Sequence, residues 1–189
     1  MRLLVVRHAL AGRRDSFAET GQDDSLRPLV DRGRKRMERS SRALTRLVPE
    51  IHTLATSPLL RAVQTAEIMA ATYGTLQLEQ LEQLAPGGER RAVLSWLQMQ
   101  PDGATVAVVG HEPDLSSLVS WLLTRAEDPF VSLKKGGACL LAWKSHVVAG
   151  DAHLDWLLTS RQLQRLAKKK NKRGSDQERQ SGAGNDEPE

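Results

Sequence analysis

Four side chains in this sequence have the types and placement that chemistry needs. Arg7-His8 follows the aliphatic run "LLVV". Arg61 stands four positions after Ser57 in "SPLLRAVQTAEIM", and His111 follows Gly110 at the end of "TVAVVGH". Each alone reads as the polar boundary of a core or as a surface residue. Together they fall after the first strand, in the first turn of a helix, and after a later strand. In an open α/β sheet these places converge on the crevice beyond the carboxyl ends of the strands.

Two arginines, two histidines and a helix start describe a site for an anion. A guanidinium fork matches two oxygens of a phosphate. A helix N-terminus adds free N–H groups and the positive end of a dipole. In such a pocket one of the two histidines can act as a nucleophile. A neutral imidazole nitrogen attacks phosphorus and forms a phosphohistidine, which divides one difficult step into two easier ones. The remaining cations stabilise the transferring oxygens. Neighbouring arginines keep the imidazole unprotonated. No HExxH or CxxC spacing is present, and the arginines can neutralise the charge, so neither a metal nor a cofactor is expected.

The elements that must position these residues alternate along the chain. "RLLVV" (2–6) reads as a buried strand, and residues 9–30, with Gly12, Gly21 and Pro28, as a long irregular loop. Apolar positions from Gly33 to Val48 recur at helical spacing and stop at Pro49. "IHTLAT" is a strand ending near Thr56. A second helix follows, with Ser57 as N-cap, Pro58 in the first turn and Gly74 at the C-terminal cap. "TLQLEQ" is a short strand, a third helix covers about 88–99, "ATVAVVG" is a strong strand, and 113–124 is a fourth helix. "GACLLAW" and "HLDWLLT" are late antiparallel strands with a turn near Gly150-Asp151. This order predicts a three-layer α/β fold with a mostly parallel central sheet flanked by helices.

Bulk properties agree with one such domain. The chain has 189 residues, with 27 Lys+Arg against 23 Asp+Glu, a net charge of +4. That mild excess fits a solvated surface or a basic pocket. No basic helix with stacking aromatics and no zinc spacing points to nucleic acid. The single cysteine, Cys139, lies in an apolar stretch and reads as a buried strand residue in a reducing compartment. No apolar run is long enough to span a bilayer. A cytoplasmic monomer with no membrane or nucleic-acid partner is expected. Residues 1–166 are read as the domain. Residues 167–189, nearly all charged or small, are read as a disordered charged tail.

The motifs resemble those of the histidine phosphatase (phosphoglycerate mutase-like) superfamily. Its Arg-His-Gly triplet has its counterpart in Arg7-His8-Ala9, with alanine in the third place. Its Ser-x-x-x-Arg-x-x-x-Thr-Ala element corresponds to Ser57, Arg61, Thr65 and Ala66, and its strand–Gly–His element to His111. "LRPLVDRG", "LAPGG" and "GHEPDLSSLVSWLL" are similar to the SixA-type phosphohistidine phosphatases. The resemblance implies a phosphoglycerate mutase-like fold. It implies that His8 is the nucleophile, with Arg7, Arg61 and His111 completing the catalytic set and binding phosphate. Arg27, in the long loop, is expected at the pocket rim, and Ser57 among the phosphate-binding residues. Where larger members carry an acid, this chain has Gln83, with Glu82 beside it, and no general acid is assigned.

These features imply a metal-independent phosphatase acting on phosphohistidine in a protein. A phosphoramidate nitrogen can leave already protonated, whereas an alkoxide needs an acid. The alternatives are a small-molecule phosphomonoesterase or mutase-like transferase, and a non-catalytic phosphoprotein-binding module.

Overall fold

The computed structural model describes residues 1–74, 76 and 78–168. In chain order its elements are β1 (Arg2–Arg7), α1 (Arg14–Ala18), α2 (Asp31–Leu47), β2 (Thr53–Thr56), α3 (Leu60–Tyr73), β3 (Leu78–Gln80), α4 (Arg90–Gln98), β4 (Thr105–Gly110), α5 (Asp114–Thr124), β5 (Ala138–Ala142), β6 (His153–Leu158) and α6 (Ser160–Lys168). One sheet holds all the strands, in the order β3-β2-β4-β1-β5-β6. β1, β2, β3 and β4 are parallel, and β5 and β6 join antiparallel.

The central strands are apolar at nearly every position because both of their faces are covered. Leu3 and Val5 of β1, Val106 and Val108 of β4, and Cys139 and Leu141 of β5 pack with Trp96 and Leu97 of α4 and Leu118 and Leu122 of α5. The alternate residues Leu4, Val6, Ala107, Val109 and Leu140 face the other way. They pack with Met37 and Leu44 of α2, Ala62 and Met69 of α3, and Leu163 of α6. These are the three predicted layers, and Cys139 is a fully buried strand residue.

Parallel register sets the strand ends level. Arg7 pairs with Gly110, and Thr56 with Val109. His8 N–H donates to Gly110 O at 3.1 Å and Ser57 N–H to Val109 O at 2.9 Å. Three strand exits therefore open side by side. Two glycines let other elements close on them. An added Cβ on Gly33 of α2 would stand 2.0 Å from Leu10 O. Gly136 has φ +67, and its N–H lies 3.1 Å from both Arg7 O and His8 O.

Three details differ from the sequence reading. The loop 9–30 contains α1 and a single 3-10 turn at Asp24–Leu26, where the Asp23 carboxylate accepts from Ser25 N–H at 2.8 Å. Ser57 is not the N-cap of α3. Its N–H continues the strand pairing, so the helix begins two residues later, with Leu59 at the cap position. The chain also forms α6, which had no counterpart in the pattern because it is short and buries only Leu163. Its end is held by Arg46 of α2, which donates to Leu166 O and Ala167 O at 3.2 Å. Ala167 and Lys168, assigned to the tail, complete this helix, and the rest of the tail lies outside the described residues.

Candidate active site

The three strand exits form the floor of a cleft of about 940 Å³. Arg7, His8, Arg27, Arg61 and His111 all line it. The long loop contributes Arg13, Arg14, Asp15 and Asp24 to its lining, and Glu112 and Lys135 line it as well. Positive side chains outnumber carboxylates, as an anion-binding cleft requires.

His8 sits at the base, 6 % exposed. Its Nδ1 lies 2.7 Å from Ala9 O. A carbonyl can only accept, so Nδ1 carries the proton and Nε2 keeps its lone pair. Burial, then the adjacent His111, hold the His8 pKa down at about 3; the Ala9 carbonyl opposes them, and Arg61 and Arg7 add smaller downward contributions. The ring is thus a neutral base at ordinary pH. The His111 ring centroid is 5.0 Å from that of His8. Its Nε2 is 2.8 Å from Ser57 Oγ, and burial, with Arg61, Arg7 and Arg27, lowers its pKa to about 4.

The arginines are anchored at their edges. Arg7 Nη1 donates to Leu133 O at 2.8 Å. Arg61 Nη1 donates to Asp24 O at 2.8 Å, and its Nη2 lies 3.3 Å from Asp24 Oδ2. Arg27 is pinned by Asp24 Oδ1 at 2.8 Å and by Gly12 O at 2.7 Å. Arg7 and Arg61 each retain a buried Nε–H with no acceptor among the described residues. Such groups are costly and call for an explanation, which an anion site provides.

The cleft therefore gathers five of the six residues singled out from sequence. Ser57 does not line it. Its side chain is fully buried, bonded to His111 Nε2 and close to Leu59 N–H (3.3 Å). Ser57 orients the histidine and cannot meet a ligand in this arrangement. Glu82 and Gln83 are exposed and do not line the cleft either. Sequence reasoning missed Asp24, which pairs with Arg27 and Arg61 and also lies 3.8 Å from Arg14. Its only sequence signal is its position three residues before Arg27, inside a segment read as loop. Among the described residues no cluster of three His, Cys, Asp or Glu side chains is arranged to hold a metal. No helix among them is long and apolar enough to cross a membrane.

Comparison with known proteins agrees with this fold. The profile of the histidine phosphatase superfamily (branch 1) matches residues 3–86, from β1 to beyond β3, a span that includes Arg7, His8, Arg27 and Arg61. An uncharacterised protein of Picosynechococcus sp. is 36 % identical over 166 residues, spanning 85 % of this chain and 96 % of the relative. The structure of the protein histidine phosphatase SixA complexed with tungstate superposes with a TM-score of 0.71 at 26 % identity, over 86 % of this chain and 99 % of the other. A mycobacterial glucosyl-3-phosphoglycerate phosphatase shares the fold, with a TM-score of 0.65 at 17 % identity over 84 % and 99 % of the two chains. The chain thus belongs to the histidine phosphatase superfamily, as a phosphatase of the SixA type.

Proposed function

We propose that the protein removes phosphate from phosphohistidine in a partner protein through a covalent intermediate on His8. One observation carries the substrate class. Among the described residues the carboxylates lining the cleft are Asp15, Asp24 and Glu112, and each is already engaged. Asp15 pairs with Arg13, whose hydrogen bond holds its pKa near 2. Asp24 is kept ionised first by the Arg27 hydrogen bond. Glu112 accepts from Ser116 Oγ at 2.6 Å and from Leu133 N–H at 3.3 Å. None stands ready to protonate a leaving alkoxide, and phosphohistidine needs no such acid. The similarity to a protein histidine phosphatase supports the same reading, and tungstate is a tetrahedral oxyanion like phosphate.

In the first step the His8 Nε2 lone pair attacks phosphorus. The P–N bond of the substrate breaks as the new one forms, and the substrate imidazole departs neutral, carrying the proton already on its other nitrogen. The bond made and the bond broken are of one kind, so transfer is nearly balanced in energy. Arg7, Arg61 and His111 stabilise the equatorial oxygens, and Arg27 holds the rim. Water then attacks phospho-His8, releasing inorganic phosphate and restoring the neutral ring.

The deciding experiment compares a phosphohistidine peptide with a panel of phosphomonoesters. The peptide is expected to give the higher kcat/KM, acid-labile phosphate is expected on wild-type protein after rapid quench, and His8→Ala is expected to show neither label nor turnover. Preference for the esters would make the protein a small-molecule phosphatase. A wild-type protein that neither labels nor turns over would be a binding module.

A further inference from the structure

A second cleft, of about 390 Å³, adjoins the first and shares Leu10 and Lys135 with it. Its walls come from the exit of β1, the first turns of α2, the segment before β5 and the start of α6. Three cations line it: Arg36, Lys135 and Arg161, with no carboxylate among the lining residues. Among the described residues none of the three forms an ion pair or a side-chain hydrogen bond. By contrast, Arg13, Arg14, Arg27 and Arg61 around the first cleft all have acidic partners. Burial, followed by Arg7, Arg27 and Arg61, lowers the pKa of Lys135, as expected for a cation crowded by others.

We infer that this second cleft is a docking groove for acidic side chains that flank the phosphohistidine in the partner protein. The inference rests on the function proposed above. His8 lies at the bottom of its cleft, so a protein substrate must insert its phosphorylated ring and lay the adjoining chain across the rim. On the loop side the rim charges are already neutralised by Asp15 and Asp24. On the α6 side no described carboxylate neutralises them, and carboxylates from the partner complete them. Charge pairs at such a rim act on encounter and on KM, and they weaken with salt.

Two synthetic peptides test this, each carrying one phosphohistidine, flanked by glutamates in one and by glutamines in the other. With the full-length protein at low salt, the glutamate peptide is expected to show roughly tenfold higher kcat/KM, through KM. That preference is expected to vanish in about 0.5 M NaCl and in the double variant Arg36→Glu, Arg161→Glu. Turnover of free phosphoramidate is expected to stay within about twofold in the same variant, which shows that the His8 site is intact. Equal use of both peptides by wild type, or a preference that survives in the double variant, would overturn the groove. Failure to hydrolyse either peptide would overturn the phosphohistidine reading and the groove with it.

Discussion

At the scale of single residues, the cleft works by keeping charge off its histidines. His8 and His111 are buried together beside guanidinium groups, so a proton on either ring meets desolvation and repulsion at once. Their folded pKa values, about 3 and about 4, lie below the ordinary 6.5. Neither ring is therefore expected to titrate between pH 8 and 5 when followed by NMR, and a midpoint near 6.5 for His8 would show that burial and its neighbours do not keep the proton off the ring. The unfolded chain binds these protons first, so the two rings cost no stability above pH 6.5. They lower it as pH falls from there through their folded values. Asp24 has a separate role as the carboxylate between Arg27 and Arg61. Its side chain is 32 % exposed, between a surface pair and a buried one. Asp24→Ala is expected to lower stability by about 1–2 kcal/mol without oxyanions. Inorganic phosphate should then raise the variant's Tm more than that of wild type, because it replaces the missing charge. Equal stabilisation of both proteins would mean that Asp24 does not share the guanidinium groups with the ligand.

At the scale of elements, the site depends on how closely α2 approaches the exit of β1. Gly→Ala in an exposed helix normally stabilises by up to about 1 kcal/mol. At Gly33 the sign should reverse, because the new Cβ would stand 2.0 Å from the Leu10 carbonyl. We expect Gly33→Ala to cost about 1–3 kcal/mol in urea unfolding and to slow turnover, since Leu10 lines the cleft. Unchanged stability would show that the strand exit is pliable. The strands and the larger helices were legible in sequence because β1 and β4 each carry an unbroken apolar run, Leu3–Val6 and Val106–Val109, and α2 is strongly patterned. α1 and α6 were not legible, since one buries no residue and the other only Leu163. The start of α3 was misplaced for a different reason. Ser57 has every local property of an N-cap, but its hydroxyl is held by His111, 54 residues away.

At the scale of the whole molecule, both apolar clusters and both clefts lie within residues 1–168. After Leu166 the sequence carries no large apolar residue. Deletion of residues 169–189 is therefore expected to leave Tm and phosphohistidine-peptide turnover unchanged, and a fall in either would give the segment a role its composition does not suggest. The sequence by itself determined the layered α/β fold and the convergence of Arg7, His8, Arg61 and His111, because strand and helix patterns are local and the crevice follows from their order. Arg27 was recognised through its resemblance to known relatives, and the structure does bring it to the same cleft. Only the tertiary structure decided that Ser57 supports His111, that Asp24 sits between two arginines, and that three cations without a partner among the described residues extend the cleft toward α6. Those facts depend on which side chains distant in the chain come within a few ångströms, and on which charges find a partner there. No spacing along the chain encodes either.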